Sequence, residues 1–285
     1  MASFIVPALA AALAVLMGGA GTALAMHHEK DLKTTSAEMG EGVLDRRDAA
    51  MLVDMADRPQ ADRDLDGSRR PVVALAFMNI EEGDRLLDVF SGGGYYSELL
   101  SHAVGENGSV VAHNPTGFAL RDTIRSALGQ RDYGGRLPNV VALNAEFDDM
   151  ELAPDSLDGA LFHLVYHDLY FESAELGLPR SEPQILLGKL HNALRPGGTV
   201  TVIDHVGVGD DPRAESEATH RINPDTVRRD FQQAGFVMVE DMSFFENPAD
   251  DGMRSVFADG LRGDTDRFAM RFAKAADPAR DPAGI

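Results

Sequence analysis

The chain has 285 residues, 44% hydrophobic and 25% charged, so it is long and apolar enough to close a full core and is not a disordered chain. Acidic residues outnumber basic ones 46 to 26, and the formal charge of -20 argues against a protein that grips nucleic acid or anionic lipid through its general surface. There is no Cys, which excludes disulfide frameworks, thiolate metal sites and Cys nucleophiles.

Residues 1–25 carry no charged side chain. An apolar run from Phe4 to Met17 is followed by small residues ending in Ala23-Leu24-Ala25, and charge begins just after it with His27, His28, Glu29 and Lys30. This is the pattern of a secretory signal cleaved before Met26, although no Lys or Arg precedes the apolar run. An uncleaved anchor is the alternative, because 25 uncharged residues can span a bilayer. Cleavage predicts a periplasmic or secreted protein without stable membrane association. Residues 26–42 are polar and read as a flexible segment. Between 43 and 78 two helical patterns stand out, Leu44 to Met55 and then Ala61 to Phe77, with Pro71 able to break the second.

From residue 79 strand-like runs alternate with helical ones. Strands are expected at Leu86–Phe90, Ser109–His113, Val140–Leu143, Leu157–Val165, Thr199–Ile203, Phe236–Phe245 and Phe268–Ala273. Helices are expected at Tyr95–Val104, Phe118–Leu128, Pro183–Leu194 and Pro224–Ala234, the last closed by Gly235. Alternation of this kind signals a doubly wound sheet. Residues 79–275 therefore read as one α/β domain, and 276–285 as a C-terminal tail.

The most informative segment is Asp88-Val89-Phe90-Ser91-Gly92-Gly93-Gly94-Tyr95. A buried strand ends in an acid, turns through three glycines and enters a helix. Such glycines let a backbone approach a ligand and point free amides at it. A tight structural turn would use the same residues. The wider pattern adds Asn139-Val140 to Glu146, Ser156-Leu157-Asp158-Gly159-Ala160, Leu194-Arg195-Pro196-Gly197-Gly198-Thr199-Val200 and Ala234-Gly235-Phe236, in that order. Together these resemble the class I S-adenosylmethionine-dependent methyltransferases. Tyr166 to Tyr170, Asp204-His205, His220-Arg221-Ile222 and Asn247 to Asp251 further resemble a group of predicted exported bacterial methyltransferases.

The resemblance implies a Rossmann-like, mostly parallel, seven-stranded sheet with its last strand antiparallel, helices on both faces and an N-terminal helical extension. It implies S-adenosyl-L-methionine as cofactor, with Asp88 near the methionine ammonium, Ser91, Gly92 and Gly94 along its tail, Glu146 towards the adenine amine and Phe147 on the ring. Two positions depart from the family pattern. Phe90 stands where the first glycine is usual. Asn114 stands where an acid binds the ribose hydroxyls, and it lacks the strength of a charged acceptor.

Methyl transfer is an in-line displacement that needs an aligned nucleophile and, for a protonated acceptor, a base. His167 and Asp168 follow the fourth strand, and Asp204 and His205 follow the fifth. His167 with Asp168 is expected to orient or deprotonate the acceptor, with His205 assisting. Each His has an ordinary structural reading as well. Tyr95, Tyr96, Tyr166 and Tyr170 form a candidate aromatic wall, and Arg63, Arg69 and Arg70 a candidate lid, though a solvated helix face would place the arginines equally well. His163 and His167 have metal-pair spacing on a helix, but His163 reads as strand, so no metal is expected. The expected substrate is a small molecule or envelope component. A non-catalytic binding module on the same fold is the alternative, and a hydrolase or lyase using His167 and Asp168 is a third reading.

Overall fold

The computed structural model describes residues 42–275. The signal pattern, most of the polar segment and the C-terminal tail lie outside the described residues. Helix α1, Arg46–Val53, begins at Asp45, whose carboxylate accepts hydrogen bonds from the backbone N–H groups of Arg47 and Asp48. The 61–77 pattern divides as its proline suggests. Helix α2 spans Gln60–Arg69, Arg70 takes a left-handed conformation, and α3, Pro71–Phe77, starts on the proline.

Seven strands form a single sheet: β1 Arg85–Val89, β2 Ser109–Asn114, β3 Val140–Asn144, β4 Leu157–His163, β5 Leu194–His205, β6 Phe236–Met242 and β7 Arg267–Lys274. Their order is β3-β2-β1-β4-β5-β7-β6. The first five are parallel, and β7 is antiparallel to both β5 and β6, so the sheet is mixed, with two antiparallel pairings. Between β1 and β4 the chain order reverses, which opens a crevice at their carboxyl ends. The other helices are α4 Tyr95–Val104, α5 Thr116–Ala119, α6 Asp122–Arg131, α7 Pro183–Ala193, α8 Pro212–Thr219 and α9 Pro224–Gln233.

Each face of the sheet carries its own apolar cluster. Leu161 packs with Leu75, Leu99 and Ile203 on one side. Its neighbour Phe162 packs with Leu186, Phe231 and Phe272 on the other, as the alternation of a strand requires.

Beyond shifts of a residue or two at element ends, the structure departs from the sequence pattern in these places. β5 begins at Leu194, not Thr199, because Leu194 pairs with Leu157 before the Arg-Pro-Gly-Gly segment bulges out and pairing resumes at Thr199. β6 stops at Met242 instead of reaching Phe245, and Phe244 and Phe245 turn inward against the other cluster. The single helix expected over 118–128 is two, α5 and α6, because the chain leaves helical geometry at Arg121. Helix α8 has no counterpart among the expected elements.

Candidate active site

A cavity of about 430 Å³ lies over the carboxyl ends of β1 and β4. Asp88 closes its floor. This carboxyl is buried and accepts a hydrogen bond from Ser97 Oγ at 2.6 Å. Burial, opposed by that bond and by the Arg69 and Arg131 charges, pushes its pKa up to about 6. After it the chain turns sharply. Phe90 adopts φ 54°, a left-handed conformation that a bulky residue rarely holds. Its ring meets Phe118 and Phe147, and its N–H donates to His113 Nδ1 at 3.3 Å. His113 Nε2 in turn donates to the Ala145 carbonyl at 2.9 Å, so this buried imidazole is neutral and clamps the turn to the end of β3.

The glycine loop leaves room for a ligand. Gly92 has φ 57°, and a Cβ added there would meet nothing within 4 Å. At Gly93 the same atom would press on Ala127 at 3.1 Å, and at Gly94 it would collide with the Tyr133 hydroxyl. Gly92 thus faces the open cavity, while its neighbours are glycines for packing reasons. Asn114 braces this loop. Its side-chain oxygen accepts from the Gly92 N–H at 2.9 Å, and its amide donates to Ser91 Oγ and to the Gly92 carbonyl, both at 3.1 Å.

A second group of side chains faces the first across the cavity. His167 sits on a short 3-10 turn after β4, and Asp204 at the end of β5. The fully buried Asp204 carboxylate accepts from the backbone N–H of His167 at 2.9 Å, from that of His205 at 2.7 Å and from His167 Nδ1 at 2.9 and 3.1 Å. A carboxylate only accepts, so Nδ1 carries a proton and Nε2 points away from Asp204. Burial works against charge on His167, but Asp204 and Asp168 outweigh it and push the imidazole up to about 9. His167 therefore holds its proton at neutral pH, which suits the first of the two roles the sequence suggested, orienting an acceptor, better than the second, removing its proton. Asp168 lies 3.7 Å from His167 Nε2, and its carboxyl is raised by burial to about 6, against the pull of His167. His205 is held through Nδ1 to Thr265 Oγ1 at 2.6 Å, and burial depresses it to about 3, so it is neutral.

The structure brings Asp88, Ser91, Gly92, His167, Asp168 and His205 to one cavity. The remaining sequence candidates stand elsewhere. Gly94 caps α4. Asn114 is committed to the loop. Phe147 is buried against Phe90 and His113. Glu146 lines an adjoining cavity with Gly117, Glu172 and Arg180, and its Oε2 is buried without a hydrogen-bond partner. Half of the tyrosine wall is present. Tyr95 and Tyr96 line the cavity, whereas Tyr166 and Tyr170 turn away and donate to Asp230. Of the three arginines only Arg69 reaches the cavity, with its guanidinium 4.7 Å over the Tyr95 ring. Arg63 and Arg70 are bound to the carbonyls of Met55 and Phe244. His163 belongs to β4, lines the cavity and has both ring nitrogens unpartnered.

Sequence reasoning did not place two further residues in the site. Arg131, at the end of α6, bonds Asp62 of α2 through two nitrogens at 2.6 and 2.9 Å and the Gly93 carbonyl at 2.9 Å. It ties the N-terminal helices to the glycine loop. His220, in a left-handed conformation after α8, projects its ring towards His167, with ring centroids 5.5 Å apart. Arg221 beside it is fully buried and pairs with Asp250 at 2.9 and 3.0 Å, which joins two segments noted only as family resemblance.

No family model and no curated protein matches the sequence. Among solved structures, an S-adenosylmethionine-dependent methyltransferase from Aquifex aeolicus superposes with a TM-score of 0.51 at 21% identity, covering 75% of this chain and 97% of that one. One from Mesorhizobium loti gives 0.50 at 18% identity, covering 73% and 99%. This is the Rossmann-like methyltransferase fold. In the methyltransferase fold the crevice between β1 and β4 is a topological switch point, and both groups of side chains described above converge there.

Proposed function

We propose that this chain is an S-adenosylmethionine-dependent methyltransferase acting on a small-molecule or envelope acceptor. The observation that carries the reading is a shared wall: the acid and glycine loop at the end of β1 and the His167–Asp168 pair at the end of β4 face one cavity. The residues fit such a cofactor. Gly92 offers open space beside backbone amides, and Asp88 offers a buried carboxylate for a ligand ammonium. Bound there, S-adenosylmethionine supplies a sulfonium methyl group. Asp88 binds the ammonium, and Gly92 lets the backbone approach the chain of the cofactor. His167, oriented by Asp204, hydrogen-bonds the acceptor through Nε2. Asp168, whose carboxylate has no hydrogen-bond donor among the described residues, is placed to take the acceptor's proton. Tyr95, Tyr96 and Phe118 exclude water from the path of the methyl group.

An exported acceptor, in the periplasm or envelope, follows from the signal pattern at residues 1–25. The decisive experiment is calorimetric titration of the purified protein with S-adenosylmethionine and S-adenosylhomocysteine, followed by methyl transfer from labelled cofactor to envelope extracts. Failure of both ligands to bind would end this reading. Binding without transfer to any acceptor would favour the non-catalytic module, which the commitment of Asn114 to the loop also supports.

A further inference from the structure

We propose that His167 Nε2, the Asp168 carboxylate and the His220 imidazole form a site for a divalent transition-metal cation on the wall of the cavity. One ligand atom from each lies within 4.8 Å of the other two. Ligand atoms around a tetrahedral zinc stand about 3.3 Å apart, given metal–nitrogen distances near 2.0–2.1 Å. The gap closes by small side-chain adjustments, which no side-chain hydrogen bond of Asp168 or His220 opposes among the described residues. Among the described residues neither the Asp168 carboxylate nor the His220 ring makes a hydrogen bond, while His167 is fixed.

The way His167 is fixed points to a ligand. Asp204 accepts from Nδ1–H, which leaves Nε2 as the nitrogen available to a ligand, 3.7 Å from the Asp168 carboxylate. A carboxylate behind an imidazole is the usual outer partner of a metal-bound histidine, because it sets the tautomer and raises basicity. A cation at this point takes the place of the Nε2 proton.

The third ligand follows α8 and is held by contacts on both of its sides. Helix α8 is anchored to the His167 turn by Ser216 Oγ, which donates to the His167 carbonyl at 2.8 Å. Arg221, immediately after His220, is locked to Asp250 and to the carbonyls of Val206 and Arg254. Between these anchors the His220 ring is held against Phe171 and Phe257, with centroids 4.5 and 4.9 Å away. Two imidazoles and one carboxylate form a nitrogen-rich set that favours zinc, cobalt or iron over magnesium or calcium. Three protein ligands leave coordination positions open, and all three residues line the cavity. The metal site rests on the methyl-transfer reading only for the acceptor, whose oxygen or nitrogen would fill those positions and, with a cation bound, would meet the metal in place of the Nε2 proton and the Asp168 carboxylate. The donor set stands without it.

The test is titration of chelator-treated full-length protein with Co(II), followed by visible absorption, and with Zn(II), followed by calorimetry. The expected result is one equivalent bound, with a d–d band characteristic of nitrogen ligation. His220→Asn, which suits the left-handed backbone, and Asp168→Ala should each weaken binding by more than the roughly 10–100-fold expected for the outer partner in Asp204→Asn. Absence of a stoichiometric site in the wild type would overturn the proposal. Equal binding by wild type, His220→Asn and Asp168→Ala would overturn it as well, because the cation would sit elsewhere. S-adenosylhomocysteine titration of the same samples separates the two readings. A metal site without nucleoside binding refutes the methyltransferase assignment and leaves the metal site standing.

Discussion

Replacing Asp88 by Asn should make the ligand-free protein more stable while abolishing cofactor binding. A buried carboxyl raised from 3.8 to about 6 holds its proton more tightly folded than unfolded. The folded state therefore loses stability as pH rises from about 4 to about 6 and does not regain it above. A shift of two units corresponds to about 3 kcal/mol. Asn cannot ionise, and its side-chain oxygen can still accept from Ser97, so the variant escapes this loss. Urea unfolding should show Asp88→Asn more stable by about 3 kcal/mol at pH 7.5 and by roughly half of that at pH 5. At a size of this order the neutral-pH gain raises the melting temperature by roughly 6–12 °C. Calorimetry on the same sample should show loss of S-adenosylhomocysteine affinity, because the ammonium then has no anion to meet. A variant less stable than wild type at pH 7.5, or a stability difference that does not shrink towards pH 5, would refute the reasoning. Unchanged ligand affinity would remove Asp88 from the site.

Three further outcomes follow from the same geometry. In metal-free protein His167, raised from 6.5 to about 9, contributes stability that is complete below pH 6.5 and lost as pH rises through 9. Urea unfolding from pH 6 to 10 should show this decline, of about 3 kcal/mol, in wild type and not in His167→Gln. Asn114→Asp restores the acid usual in the family but removes the donor to Ser91 Oγ and faces the Gly92 carbonyl with a negative charge. It should cost about 1–3 kcal/mol in denaturant unfolding without improving cofactor affinity by calorimetry. Asp168→Asn, once an acceptor is in hand, should lower turnover by about 10²–10⁴ with S-adenosylhomocysteine affinity nearly unchanged.

The sheet was legible because each strand is a short apolar run bounded by glycine, proline or polar residues, and because Asp88 to Tyr95 gives both a strand end and a helix start. The bulge at Leu194 was hidden, since Arg195 to Gly198 reads as a turn and pairing on its far side leaves no trace in sequence. Helix α8 was missed because Pro212 to Thr219 has no apolar stripe. Its only signal was an acid before a proline, and Asp211 does accept from the N–H groups of Arg213 and Ala214. With α8 went His220, which no spacing to His167 or Asp168 could reveal across 52 residues. Site residues at strand ends were legible because topology alone brings such ends together. The commitment of Asn114 to its own loop and the turning of Tyr166 and Tyr170 towards Asp230 depend on side-chain direction, which residue identity does not carry.

The Arg131 bridge decides how a ligand gets in. Its guanidinium joins α2 to the Gly93 carbonyl through a pair that is buried on both sides. Parting it would break a buried ion pair and leave the guanidinium with Glu98 as its remaining carboxylate partner. The N-terminal helices are thus a fixed roof and not a swinging door. Leu176 and the exposed Phe257 border the cavity away from those helices in the chain. The His220 ring packs on Phe257, so a molecule entering beside that exposed ring would meet the proposed metal ligand at the edge of the cavity.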